Sequence, residues 1–116
     1  MVKRHNFLLF KIVMIEYKVL KEIERNPHHT QRSLARKLGV SLGKINYVMG
    51  GLIEKGIVRA KKLKNQPGSI HWHYLLTPEG IQEKIRITRT YLERRQAEFA
   101  ALQSEISELE HEVNSR

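Results

Sequence analysis

The chain has no cysteine, which excludes a disulfide framework, a thiol redox switch and a cysteine zinc site, and which fits a cytoplasmic life. It also lacks a long apolar run. Phe7 to Ile15 is the only strongly apolar stretch, and Lys11 interrupts it. That is far short of the roughly 20 residues a membrane-spanning helix needs. Lys3 and Arg4 ahead of this stretch resemble the start of a signal peptide, but no small-residue cleavage pattern follows. Nor do the residues supply paired carboxylates for a pocket, a nucleophile arrangement or a phosphate-cradling glycine loop, so an enzyme is not expected. No cofactor is implied.

What the chain has in abundance is positive charge. Its 116 residues leave room for one domain with a modest core and one extended element, and the formal charge is +9. Residues 1–80 hold 15 Lys/Arg against 5 Asp/Glu, residues 81–97 hold 5 against 2, and residues 98–116 hold 1 against 5. A basic body with an acidic tail points to a polyanionic partner, nucleic acid or an anionic membrane surface. A merely soluble basic surface would not explain the acidic tail.

The chain is organised around Thr30 to Arg59, which reads as two short helices about a tight turn and the entry to a strand. Leu34, Ala35 and Leu38 share one face of the first helix; Ile45, Val48, Met49 and Leu52 share one face of the second. Gly39 suits a helix C-terminus with positive φ, Ser41 can cap the next helix, and Thr30 can cap the first. This is a helix-turn-helix. Ala35, Gly39, Ile45 and Val48 stand where such units keep a small residue, a turn glycine and two buried aliphatics, and Leu52 through Val58 leads into a wing.

These residues resemble the MarR family of transcriptional regulators. Ser41 to Tyr47, Leu52 to Gly56 and Tyr74 to Ile81 resemble, more narrowly, its small exopolysaccharide (EPS)-associated members, over roughly Glu16 to Val113. The resemblance implies a winged-helix fold, binding to double-stranded DNA and control of polysaccharide biosynthesis genes. Many members carry an Asp and Arg pair in the wing. Its absence here implies backbone contact rather than minor-groove reading by the wing. Larger members sense small molecules between the DNA-binding lobe and the dimer helices; this chain is shorter, with a single helix after the wing, so a roomy pocket is not expected and a small-molecule effector is unknown.

In chain order, Ile12, Ile15, Val19, Leu20 and Ile23 recur at helical spacing and predict a first helix from about Ile12 to Arg25, ended by Asn26-Pro27. Residues 1–13 read as an arm or extension, whose Phe7 to Phe10 would pack on a partner subunit. His28 and His29 read as solvated loop residues.

The candidate base-reading residues on the second helix of the unit are Leu42, Gly43, Lys44, Asn46, Tyr47 and Gly50. Asn46 has the donor and acceptor pair that adenine requires, Lys44 can donate to guanine or phosphate, and Tyr47 can pack on a thymine methyl. Candidate phosphate contacts are Thr30, Gln31, Arg32, Arg36 and Ser41 in the helix-turn-helix and Lys61, Lys62 and Lys64 in the wing. Gly50 and Gly51 cost a helix about 1 kcal/mol each relative to alanine, which weakens the expectation of helix beyond them. Close approach to DNA and simple tolerance of a weak helix both account for them.

The wing is expected as a strand from Ile57 to about Leu63, a turn over 64–69 and a strand from Ile70 to Leu76. Alternation sets Ile70, Trp72, Tyr74 and Leu76 on the core side and His71, His73 and Leu75 outside. His71 and His73 could share a metal ion, but without a carboxylate or thiolate the surface reading is preferred, and no metal is assigned.

Thr77-Pro78-Glu79 starts a helix with a capping hydroxyl, proline at the first position and an acid at the positive end of the dipole. No breaker follows until about Asn114. Apolar Ile81, Ile85, Leu92, Phe99, Leu102, Ile106, Leu109 and Val113, with Thr88 and Arg95, alternate by four and three, a heptad seam. At 1.5 Å per residue such a helix is about 54 Å long and must find a partner helix.

The expected architecture is mainly α with a β-hairpin wing: an extension over 1–13, a winged helix-turn-helix over 14–77, a long coiled-coil dimerisation helix over 78–113 and a tail over 114–116. The expected function is sequence-specific binding of double-stranded DNA by a cytoplasmic homodimeric regulator, with no membrane partner. The alternative is a winged-helix module that binds another protein through its long helix. RNA binding suits the charge, but the few aromatic residues are mostly spent on the core.

Overall fold

The computed structural model describes the backbone of residues 3–66 and 69–115, and side chains over residues 11–62 and 72–115. The elements run α1 (Lys3–Arg25), α2 (Gln31–Leu38), α3 (Leu42–Glu54), β1 (Val58–Gln66), β2 (Ser69–Leu76) and α4 (Pro78–Asn114). The two strands form one antiparallel hairpin, with Val58 opposite Leu76, Ala60 opposite Tyr74 and Lys62 opposite Trp72. Three helices, a hairpin and a closing long helix make a winged helix-turn-helix.

The local chemistry of the sequence sets the helix limits. Thr30 accepts a hydrogen bond from the Ser33 N–H while the Ser33 hydroxyl accepts from the Thr30 N–H, a reciprocal cap with serine in the usual place of glutamate. Gly39 ends α2 at φ 67°, a left-handed conformation costly for a residue with a Cβ, and Ser41 caps α3 through the Lys44 N–H. α3 runs unbroken through Gly50 and Gly51 to Glu54, because Ile45, Val48, Met49 and Leu52 bury one face along its whole length. Burying each such side chain contributes roughly 1.5–3 kcal/mol, more than the two glycines cost.

The core joins Val19, Leu20 and Ile23 of α1, Leu34 and Ala35 of α2, the apolar face of α3, Ile57 and Val58 at the wing base, Tyr74 of β2 and Ile87 of α4. α1 begins at Lys3, earlier than the expected start at about Ile12; the side chains of Phe7 to Phe10 lie outside the described residues. The wing strands are longer than expected: Lys64 to Gln66 and Ser69 belong to the ladder, with an irregularity between Lys64 and Gln66, and not to a turn. Trp72 is 47% exposed and does not join the core. Among the described residues the core ends at Tyr74, one step nearer the wing base on the same strand face, and the hairpin runs on past it; the Ile70 side chain, expected on the core side, lies outside the described residues.

His29 departs from the solvated expectation, whereas His28 stays exposed but has a partner. His29 is tucked between Glu22 (3.4 Å) and the Ser33 hydroxyl (2.8 Å). His28 meets His73 edge to face, with Nδ1 and Nε2 2.8 Å apart, because the Tyr74 N–H donates to the Pro27 carbonyl and draws the loop after α1 along β2. Neither pairing was visible in local sequence.

α4 is held at its root. The Thr77 N–H donates to the Ile57 carbonyl (3.1 Å), the Thr77 hydroxyl to the Gly56 carbonyl (2.5 Å), and the Gly80 N–H to the Thr77 oxygen (2.9 Å). Gly80 sits so close that a Cβ there would lie 2.0 Å from the Ile57 oxygen. Farther along, Ile87 is 1% exposed against the core and Tyr91 stacks on Tyr17 of α1 at 4.9 Å between ring centres. Gly80→Ala is expected to destabilise the fold by about 3 kcal/mol, the upper end of overpacking costs, in chemical denaturation. An unchanged midpoint would contradict this junction.

Candidate nucleic-acid interface

The first two turns of α3 present Leu42, Gly43, Lys44, Asn46 and Tyr47 to solvent, opposite the buried Ile45, Val48 and Met49. Tyr47 is 74% exposed. Gly50, also exposed, lines a groove of about 510 Å³ with Asn46, Tyr47 and Glu54 on one side and Ile12 and Glu16 of α1 on the other. The outer face of α3 is therefore open at its N-terminal half and flanked by α1, with an acidic Glu16, toward its C-terminal half.

α2 supplies the second part of the surface. Arg32 and Arg36 are exposed and border a shallow hollow with Gly39, Val40 and Leu42, which places both guanidinium groups beside the start of α3. The backbone N–H groups of Gln31 and Arg32 precede the first intrahelical hydrogen bond and add partial positive charge at that end. The hydroxyls of Thr30 and Ser41 each accept a capping hydrogen bond within the chain, so their first role is to start the helices. Gln31 differs from a free phosphate ligand as well. Its Oε1 accepts from Asn46 Nδ2 at 3.2 Å and its Nε2 donates to the Tyr74 hydroxyl at 3.4 Å. Sequence reasoning missed this chain, whose members lie 15 and 43 residues apart.

The wing contributes Lys61 and Lys62, both exposed and on opposite faces of β1 because side chains alternate along a strand. Lys62 lies across from Trp72, on the face that carries Tyr74; Lys61 lies across from His73. The Lys64 and His71 side chains lie outside the described residues. Among the described residues, no group of three or more His, Asp or Glu side chains could hold a metal ion. No described helix is long and apolar enough to cross a membrane.

A family model described as winged helix-turn-helix DNA-binding matches residues 15–59. No curated protein matches the chain. Among solved structures, the fold is similar to that of the adhesin competence repressor of Streptococcus pyogenes, at 15% identity and a TM-score of 0.59, over 88% of this chain and 81% of that one. Lactococcus lactis ZitR is similar at 17% identity and a TM-score of 0.58, over 98% and 83% of the two chains. Streptococcus pneumoniae FabT, solved in complex with DNA, is similar at 19% identity and a TM-score of 0.50, over 86% and 74%. A further similar structure is described as a MarR family transcription regulator, at 16% identity and a TM-score of 0.58, over 84% and 67%. At these identities the likeness establishes the fold.

The glycines of α3 have no internal reason to be glycine, since a Cβ at Gly43, Gly50 or Gly51 would meet nothing within 4 Å. Gly51→Ala should therefore stabilise the chain by about 1 kcal/mol through helix propensity, read as a thermal midpoint a few degrees higher. A lower midpoint would reveal a packing constraint at that position.

Proposed function

We propose that this chain is a sequence-specific, double-stranded-DNA-binding transcriptional regulator of the MarR type that acts as a homodimer. The observation that carries the reading is the open N-terminal half of α3, where Lys44, Asn46 and Tyr47 face outward, with exposed Arg32 and Arg36 of α2 beside its start and exposed Lys62 on the wing. A helix exposed in this way fits a major groove, with base edges read by α3 and phosphates met by the flanks. The charge excess on residues 1–80 supports the same partner. The sequence resemblance to the EPS-associated members directs the regulation toward exopolysaccharide biosynthesis genes.

The dimer rests on α4. Ile81, Ile85, Leu92, Phe99, Leu102, Ile106, Leu109 and Val113 are between 46% and 73% exposed, an apolar stripe along a 37-residue helix interrupted only by Thr88 and Arg95. Ile87 and Tyr91 are spent on the chain's own body, so the stripe faces away from it and suits a second copy. The first half of α4 carries Lys84, Arg86, Arg89, Arg94 and Arg95, and the second half is flanked by Glu98, Glu105, Glu110 and Glu112, of which Glu98 already pairs with Arg94 and Arg95 of its own chain. Antiparallel pairing sets the two halves against each other, although each exposed pair contributes only about 0.2–1 kcal/mol.

Two experiments test these roles. After selection of preferred sites from a random duplex pool, Lys44→Ala or Asn46→Ala should cost roughly 1–3 kcal/mol of discrimination at particular bases, whereas Lys62→Ala should weaken binding to every sequence and lower the salt slope by about 1. Equal losses on selected and random DNA for all three would remove the division of labour, and binding without any sequence preference would favour the protein-interaction reading. For the pairing direction, Phe99→Cys and Val113→Cys are informative because the chain has no cysteine of its own. Antiparallel helices crossing near the middle of α4 cross-link at position 99 alone. Parallel helices cross-link at both.

A further inference from the structure

Asn46 is exposed on α3, where a short amide side chain has no packing to choose its rotamer. Its surroundings nevertheless choose one. Asn46 Nδ2 donates to Gln31 Oε1, and Gln31 Nε2 donates to the Tyr74 hydroxyl. Both ends of the bridging residue are fixed: Tyr74 is 6% exposed in the core, and Gln31 stands at the first position of α2, directly after the reciprocal Thr30 and Ser33 cap.

From this chain of hydrogen bonds we infer that Gln31 is a positioning residue for base reading, holding the Asn46 side chain in one place on α3 with Tyr74 as its anchor. The inference rests on the DNA-reading role proposed for α3. An asparagine amide has two N–H donors and one carbonyl oxygen. With one N–H given to Gln31, what remains is one donor and one acceptor, the pair that adenine N7 and N6 require in a major groove. A half-turn of the Asn46 amide alone would set its Oδ1 against Gln31 Oε1, two acceptors facing each other, so the two amides can only turn together, with the Tyr74 hydroxyl then donating. The side chain is placed before any duplex arrives, which spares part of the ordering cost of an exposed side chain at binding. Gln31 thus serves discrimination, a different task from neutralising a phosphate.

The test uses the full chain and duplexes selected from a random pool. Gln31→Met should retain helix content and thermal midpoint while losing discrimination at one base position per half-site by roughly three- to tenfold, the value of one hydrogen bond. Affinity for random DNA and the salt slope should stay as in the parent. In an Asn46→Ala background, Gln31→Met should have no further effect. Tyr74→Phe keeps the ring and removes the anchoring hydroxyl, and should lower discrimination at the same base by about twofold, since that hydrogen bond acts at one remove. Gln31→Glu keeps an acceptor toward Asn46 and should preserve discrimination while weakening binding to all DNA.

A uniform loss of affinity with a flatter salt dependence for Gln31→Met would make it a phosphate ligand and overturn the positioning role. So would an undiminished effect in the Asn46→Ala background. If Gln31→Met fails to fold, Tyr74→Phe decides alone, and unchanged discrimination there overturns the role. Should the parent chain select no sequence at all, the base-reading assignment of α3 falls first, an outcome distinct from any of these.

Discussion

One carbonyl group fixes the layout of this molecule. The Ile57 oxygen receives the Thr77 N–H and lies under Gly80, while the Ile57 N–H donates back to the Leu52 carbonyl near the end of α3. The exit of the candidate recognition helix, the base of the wing and the first turn of α4 therefore share one point. Gly56 makes the turn into it at φ 74°, and Thr77 closes it with a hydroxyl that is at once donor to Gly56 and cap for α4. Because the elements meet backbone to backbone, there is no long side chain whose rotation could relax the angle between α3 and α4. In the proposed dimer that rigidity matters, since the spacing of two recognition helices is set by how each α4 leaves its own body.

α4 then carries two apolar faces with different jobs. One, Ile87 with Tyr91, completes the core of its own chain by packing on α1. The other runs the full length of the helix and is left uncovered. The body spans too little of α4 to cover it: the chain measures 73 Å along its longest axis and 26 and 25 Å across. An uncovered stripe of this length is a standing cost in water, and its burial would drive the proposed pairing.

How much of this was legible in the sequence follows from how local each feature is. The helix-turn-helix was readable residue by residue, because caps at Thr30 and Ser41, the turn at Gly39 and the three-and-four spacing of the buried face are all decided within a few positions. The long helix was readable for the same reason. The wing was legible as a hairpin, but not where its inner face stops being core; strand alternation is indifferent to the size of the body behind it, which is why Trp72 was misplaced and Tyr74 was not. Ile87 escaped because the heptad pattern draws the eye to Ile85 and Thr88 on the other face. Gly80 did leave a signal, a helix-weakening residue in the first turn of an otherwise well-marked helix start, whose meaning needed the Ile57 oxygen to appear. Contacts across long sequence separations, such as Gln31 with Asn46 and Tyr74 or His28 with His73, left none.

The position of Trp72 has a practical corollary. It is the only tryptophan in the chain, and it stands on the wing outside the packed interior. Indole emission, commonly read as a gauge of global unfolding, is in this protein a gauge of the hairpin and its immediate surroundings. A denaturation curve followed by that light would register the wing's environment, while the cooperative loss of the interior must be followed through helical dichroism or the tyrosines at 17, 74 and 91.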